Sequence, residues 1–130
     1  MSSLANFVRR AVVLASLALG VAACGPEYDR TEITMVKEAP LGGELNTQRL
    51  DVPAGLVITA HVVVWNDDNE QMPLAIRSKD PSIVEVRGVV NDRNYAFIGL
   101  KEGTTEIELL ADGDLVLTIP ATVAAQPALP

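Results

Sequence analysis

Hydrophobic residues recur at every second position in the longest apolar segment of this chain. In the segment 56–65, LVITAHVVVW, the residues Ile58, Ala60, Val62 and Val64 share one face at the two-residue period of a β-strand. β-Branched residues are frequent in the segment, and they favour strands over helices. We therefore predict a central strand at 56–65 whose alternate residues face the core.

A second alternating segment, 104–111, is followed by a turn and a return strand. Asp112 and Gly113 both tolerate positive φ, as tight hairpins require, so 114–123 is predicted to fold back as the closing strand. Pro120 interrupts this strand and favours a position at a sheet edge or at a bulge.

Two carboxylates lie on the polar face of the segment 104–111. We expect Glu106 and Glu108 to be exposed, and to form cross-strand ion pairs with Arg87 and Arg93 of neighbouring segments. Such pairs stabilise a protein little individually, but a charged sheet face discourages edge-to-edge aggregation.

Shorter strand-like runs fill the rest of the chain. They lie at 32–37, 45–52, 74–78, 83–86 and 95–100, separated by turns rich in Gly, Pro, Asn and Asp. No segment shows a convincing amphipathic helix. Seven or eight short strands with this spacing predict an all-β fold, an antiparallel β-sandwich of about 100 residues.

The N-terminal segment has the pattern of an export signal. Arg9 and Arg10 precede the apolar run 11–23, AVVLASLALGVAA, which ends in small residues. A transmembrane helix needs about 20 apolar residues, so this run is too short to be a stable membrane anchor. We interpret 1–23 as a cleaved signal peptide.

The residues Val21, Ala22, Ala23 and Cys24 resemble the lipobox of bacterial lipoproteins. The resemblance implies that Cys24 receives a diacylglycerol and becomes the first residue of the mature chain. Cys24 is also the only cysteine, so an intramolecular disulfide is excluded. By the same resemblance, Gly25 after the cysteine favours the outer membrane of a Gram-negative envelope over the inner one.

The second half of the chain resembles the bacterial immunoglobulin-like domain, group 2. The resemblance rests on the segment 78–86, SKDPSIVEV, followed by 97–107, FIGLKEGTTEI, and it is strongest over 78–109. It implies an Ig-like sandwich without a conserved catalytic apparatus. The family commonly carries a tryptophan just before the Ser-rich segment, where this chain has Ile76. Trp65 is therefore expected either to fill part of the core or to lie partly exposed in a loop.

These patterns divide the chain into four parts. They are the signal peptide at 1–23, the lipidated Cys24 with a short tether to 30, the Ig-like sandwich at 31–123, and a disordered tail at 124–130.

The mature chain is acidic. The full chain of 130 residues has 10 basic and 17 acidic residues and a formal charge of −7. The segment 1–23 contains two of the arginines and no acid, so the remaining 107 residues carry −9. Because binding to a phosphate backbone requires clustered Lys and Arg, this balance argues against nucleic acid as a partner.

The sequence offers few residues for catalysis. His61 is the only histidine, which excludes metal sites that need two or three histidines. A Ser-His-Asp triad would have to use His61, whose position in the strand at 56–65 lies opposite the predicted core face. We therefore expect an ordinary surface histidine and no enzymatic activity, and no cofactor is predicted.

One acidic loop is a candidate ligand site. Asp67, Asp68 and Glu70 cluster in WNDDNEQ between two predicted strands, and calcium accepts irregular sets of oxygen ligands. The alternative is a solvated turn, which we favour because the spacing does not match the Asp-x-Asp-x-Asp-Gly calcium loop.

Taken together, these features predict a non-enzymatic envelope lipoprotein. The expected partners are the membrane, through the lipid on Cys24, and a protein that the sequence does not identify; the domain would act as a structural, adhesion or interaction module. The alternative is an envelope protein that binds calcium or a small ligand through the loop from Asp67 to Glu70.

Overall fold

The computed structural model describes residues 25–88 and 93–126. The predictions for the signal peptide, the lipobox and Cys24 lie outside these residues, as does most of the predicted tail. All the described strands fall between Tyr28 and Ala124, so a polypeptide of residues 25–130 contains every one of them.

The described residues form nine β-strands in two sheets. In chain order the strands are β1 (Tyr28–Met35), β2 (Glu44–Leu45), β3 (Leu50–Pro53), β4 (Val57–Asn66), β5 (Leu74–Ser78), β6 (Val84–Gly88), β7 (Asn94–Gly99), β8 (Gly103–Ala111) and β9 (Asp114–Ala124). The first sheet has the strand order β1-β4-β7-β6 and the second has the order β2-β3-β9-β8-β5. The predicted all-β sandwich is confirmed.

The predicted strand at 45–52 is divided into β2 and β3 by a tight turn. The side-chain oxygen Oδ1 of Asn46 accepts hydrogen bonds from the backbone N–H groups of Gln48 and Arg49. An asparagine that caps its own turn in this way competes with the strand ladder. The turn reverses the chain, and β2 pairs antiparallel with β3.

The second sheet is mixed, which corrects the prediction of a purely antiparallel sandwich. β3 runs parallel to β9, with Leu50 opposite Ala121 and Pro53 opposite Ala124. β1 pairs with β4 in the first sheet, whereas β3 joins the second sheet. The chain therefore crosses between the sheets before β3, and this crossover allows a parallel partner for the last strand.

Pro120 occupies a one-sided part of β9. β9 lies between β3 and β8, but β3 pairs only with its last four residues, so Pro120 lies on an edge part of the strand, one of its two expected positions. Pro120 pairs with Glu106 of β8, and pairing with β3 begins only at the next residue, Ala121. The missing N–H group is tolerated because β9 has a single described neighbour at that point.

The core lies between the two sheets. The predicted inner face of β4 is confirmed, since Ile58, Ala60, Val62 and Val64 are all at most 1% exposed. Across from them the second sheet contributes its own fully buried side chains, including Leu50, Ile107, Leu109 and Ile119. Burying each such side chain stabilises the fold by roughly 1.5–3 kcal/mol.

The two glycines of the segment FIGLKEG serve different purposes. A Cβ atom on Gly99 would lie 2.6 Å from the carbonyl oxygen of Pro53, where β7 approaches the end of β3. Gly103 has a φ of 154°, a conformation that side chains rarely adopt, and begins β8. The first glycine permits close contact between the sheets, and the second permits the turn into the next strand.

Candidate functional site

The β4–β5 loop is the predicted ligand site, and a buried asparagine organises it. Asn66 ends β4 and is 9% exposed. Its Oδ1 atom accepts hydrogen bonds from the backbone N–H groups of Asp68 at 3.0 Å and Glu70 at 2.9 Å. Asn69 between them has a φ of 62°, which asparagine tolerates better than most residues. Asn66 therefore bonds the backbone N–H groups of Asp68 and Glu70, whose own residues are exposed.

The tether is bonded to this loop. The backbone N–H of Glu27 donates to Oδ1 of Asp67 at 3.1 Å, and the N–H of Asp67 donates to the carbonyl of Glu27 at 2.8 Å. β1 begins at Tyr28, so the predicted tether to residue 30 is too long. Only Gly25, Pro26 and Glu27 separate Cys24 from the first strand, because pairing with β4 and the contact with Asp67 order the chain from there.

Arg30 connects β1 to the loop and to Trp65. Its guanidinium group donates to Asp29 at 2.9 Å, to Asn69 at 3.0 Å and to Glu32 at 3.2 Å. The same group lies over the ring of Trp65, 5.2 Å from the centroid, at a cation–π distance. The bonds to Asp29 and then Glu32 raise the pKa of Arg30 above its usual value.

Trp65 occupies neither of its two expected positions. It lies within β4, half-buried on the outer face of the first sheet under Arg30, so it is neither in the core nor in a loop. Its Nε1 atom is buried and has no hydrogen-bond partner in the described part of the chain. No local sequence pattern marks this role of Arg30, because the contact joins two residues 35 positions apart on different strands.

The three candidate calcium ligands do not converge in the structure. Asp67 bonds to the tether, while Asp68 and Glu70 are exposed. Within residues 25–88 and 93–126, no group of three or more His, Cys, Asp or Glu side chains has the geometry to hold a metal ion. Calcium binding stays a prediction. If the loop binds calcium, millimolar calcium should raise the melting temperature of the wild type and leave that of Asp68→Asn unchanged.

His61 lies on the outer face of the first sheet, as expected. It pairs with Thr34 of β1 on one side and Asn94 of β7 on the other. The ring atom Nδ1 and the amide oxygen of Asn94 are 3.0 Å apart. A neutral amide therefore stands where a Ser-His-Asp triad would place its carboxylate.

The outer face of the second sheet carries two ion pairs with other partners than expected. Arg77 Nε in β5 is 2.8 Å from Glu108 Oε1 in β8, and Nζ of Lys79, the residue after β5, is 3.0 Å from Glu106 Oε2 in β8. The predicted pairing with Arg87 and Arg93 is wrong. β6, which contains Arg87, and the start of β7 belong to the other sheet, and Arg87 bonds to Glu85 of its own strand.

Glu108 is buried, which is also contrary to expectation. Its residue is only 8% exposed, and the Arg77 side chain covers it while remaining 61% exposed itself. A buried carboxylate needs such a partner, so loss of Arg77 should destabilise the protein more than loss of Lys79 from the exposed pair with Glu106.

No helix within the described residues is long and apolar enough to span a bilayer.

Comparison with known proteins identifies the fold and no family. No family model matches the sequence. No curated protein matches it either. Among solved structures, the chain resembles domains 4 and 5 of the S-layer protein SbsC with a TM-score of 0.53 and 17% identity, over 78% of this chain and 54% of that one.

Two further structures of SbsC show the same likeness. Domains 5–6 match with a TM-score of 0.57 and 18% identity, over 82% of this chain and 48% of that one. Domains 1–6 match with a TM-score of 0.57 and 16% identity, over 80% of this chain and 14% of that one. The chain thus spans about half the length of the two-domain structures. Its fold is similar to that of S-layer protein domains.

Proposed function

We propose that this protein is a lipid-anchored envelope protein, whose domain resembles the bacterial immunoglobulin-like group 2 and acts as a non-enzymatic structural or protein-interaction module. The observation that carries the proposal is the position of the folded unit relative to Cys24. The first strand begins four residues after the cysteine, and the intervening tether is hydrogen-bonded to the β4–β5 loop.

A short tether of this kind suits a membrane anchor. Three residues span at most about 10 Å when fully extended. A lipid on Cys24 would therefore hold the sandwich against the membrane surface. Each buried methylene of an acyl chain contributes about 0.8 kcal/mol to membrane binding, so two or more chains make release slow.

The likeness to S-layer protein domains supports an envelope role of a structural kind. The contact of the His61 ring with the neutral amide of Asn94, where a Ser-His-Asp triad would have a carboxylate, agrees with such a role. Because one fold hosts many functions, this support is an analogy at the level of the fold.

Metabolic labelling with palmitate tests the anchor. We expect label in the wild type and in the control Gly25→Ala, which keeps the cysteine, and none in Cys24→Ala. The Cys24→Ala protein should also leave the membrane fraction. Equal labelling and fractionation of all three proteins would contradict the proposal.

Two further measurements address the finer parts of the proposal. Density-gradient separation of the two membranes should place the wild type in the outer one, and recovery in the inner one would refute that assignment. Crosslinking in intact cells should capture an envelope protein with the wild type and not with Cys24→Ala, because only the anchored chain is held at the membrane.

A further inference from the structure

β1 is the one long strand edge that the described structure leaves unprotected. Proteins usually protect their sheet edges with prolines, bulges, charges or short strands. β2 has only two residues and is flanked by the ion pairs of Arg49 with Glu44 and Asp51. β5 and β6 adjoin each other where the chain passes between the sheets. The part of β9 that pairs only with β8 contains Pro120. Its register with β8 also shifts between Leu117 and Leu115, which marks a bulge.

β1 lacks these features along most of its length. It has eight residues, no proline, and one irregularity at its start between Tyr28 and Arg30. Its charged residues beyond that point, Arg30 and Glu32, lie on the outer face opposite Trp65 and Val63. From Thr31 to Met35 the edge is regular and carries no inward-facing charge.

The free hydrogen-bonding groups of β1 follow from its register. The N–H of Val36 donates to the carbonyl of Thr59 in β4 at 3.0 Å. Successive residues of a strand direct their backbone N–H and C=O groups to opposite sides. Thr34 and Glu32, two and four positions before Val36, therefore also direct theirs towards β4. The N–H and C=O groups of Thr31, Ile33 and Met35 therefore point away from the sheet.

The side chains at this edge are also incompletely covered. Ile33 and Met35 face inward and pack against the core, yet both remain partly exposed. Val36, which follows the strand, is 51% exposed. An additional strand beside β1 would satisfy the free backbone groups and remove this apolar surface from water.

We propose that β1 pairs with β1 of a second copy of this chain, antiparallel and about a two-fold axis at Ile33. In this register Ile33 faces Ile33 of the second copy, and Thr31 faces Met35 of the second copy. All three free residues then form hydrogen-bonded pairs, and the two four-stranded sheets become one continuous sheet. The same register places the stem of Arg30 beside the exposed Val36 of the second copy.

The charges on β1 discriminate against the neighbouring register. A two-fold axis at Glu32 would place that carboxylate directly opposite its own symmetry mate, and like charges at that separation destabilise a strand pair. With the axis at Ile33, Glu32 faces Thr34 of the second copy instead. The contact involves one strand per copy, so we expect a weak, concentration-dependent dimer rather than a permanent one.

Amide hydrogen exchange on residues 25–130 tests the pairing without any substitution. Between about 10 μM and about 1 mM, a range that spans weak association, protection should rise at least several-fold at Thr31, Ile33 and Met35. The amides of Glu32 and Thr34 bond within the monomer and should be protected throughout. Sedimentation equilibrium should show the dimer over the same range.

A disulfide tests the register. The segment 25–130 contains no cysteine, so an introduced thiol is unique. In the proposed dimer, position 32 and position 34 of the second copy form a non-hydrogen-bonded pair with Cα atoms about 4.5 Å apart, which suits a disulfide. Glu32→Cys and Thr34→Cys are mixed in equal amounts and mildly oxidised. Random collision would make about half of the disulfide dimers mixed ones, and the proposed register should raise that share clearly above half. Both positions lie on the outer face, so the core is unchanged.

The control is Ala75→Cys, an exposed position on β5 far from this edge. It should crosslink only slowly with either variant. A chain that stays monomeric to about 1 mM overturns the proposal. So does a dimer in which the amides of Thr31, Ile33 and Met35 exchange as fast as in the monomer, or a mixture that yields no excess of the mixed disulfide.

Discussion

Gly99→Ala is the substitution for which the structure gives the most definite expectation. Gly99 ends β7, and its backbone is fixed on both sides by the β3–β4 turn. Its N–H donates to the carbonyl of Leu56 at 3.0 Å, and its carbonyl accepts from the N–H of Gly55 at 2.7 Å. An added Cβ would lie 2.6 Å from the carbonyl oxygen of Pro53 and 3.3 Å from Cγ1 of the buried Val52. Something must therefore move, and the nearest atoms belong to the backbone.

The expected cost combines two opposing effects. Forcing extra volume into a packed site typically costs 1–3 kcal/mol. Replacing glycine also restricts the unfolded chain, which returns roughly 0.4–1 kcal/mol. We expect a net loss of about 1–2 kcal/mol in the free energy of unfolding. For a domain of this size that lowers the melting temperature by roughly 4–16 °C.

Thermal and urea unfolding of residues 25–130, followed by circular dichroism, measure this change. Gly25→Ala is the matched control, because nothing lies within 4 Å of its added Cβ and it precedes the first strand. Gly113→Ala is a second comparison, since its φ of 87° imposes backbone strain in open space. If Gly99→Ala is no less stable than Gly25→Ala, the close approach of β7 to Pro53 is refuted.

Two further predictions concern charged groups. Arg77→Ala leaves the buried carboxylate of Glu108 without its partner and should lower the free energy of unfolding by about 1–3 kcal/mol. Lys79→Ala breaks the exposed pair with Glu106 and should change that free energy by less than about 0.5 kcal/mol. Equal effects of the two substitutions in urea unfolding would contradict the difference in burial. The hydroxyl and the backbone N–H of Ser82, in that order of effect, donate hydrogen bonds to the Asp80 carboxylate and lower its pKa. This carboxylate therefore contributes stability above its unfolded pKa of about 3.9. The contribution is lost as the pH falls through the lower folded pKa. Ser82→Ala should raise the pKa of Asp80 in an NMR titration, and an unchanged pKa would contradict the assigned cause.

Much of the fold could be predicted because its signals are local. Alternation along 56–65 placed Ile58 to Val64 correctly in the core, since a strand buried on one face must repeat every two residues. The turn at Asp112-Gly113 was likewise correct, with positive φ at both residues. These features depend on near neighbours in the chain, and a single sequence records them directly.

The features that were missed join residues far apart in the chain. Glu108 binds Arg77 instead of Arg87 or Arg93, because the partner depends on which strands share a sheet. The parallel pairing of β3 with β9 depends in the same way on where the chain crosses between the sheets. Local periodicity is the same for either arrangement, so it does not distinguish them.

The sequence by itself determined that this protein is built from alternating strands, that the 107 residues from Cys24 onward are acidic, and that its only thiol lies just before the first strand. Only the tertiary structure decided that the tether binds Asp67, that Arg30 covers Trp65, and that β1 is an open edge among the described strands. The physical reason is that strand patterns arise from the alternation of side chains along the backbone. Contacts between strands arise instead from sheet order and register, which the packing of the whole core fixes.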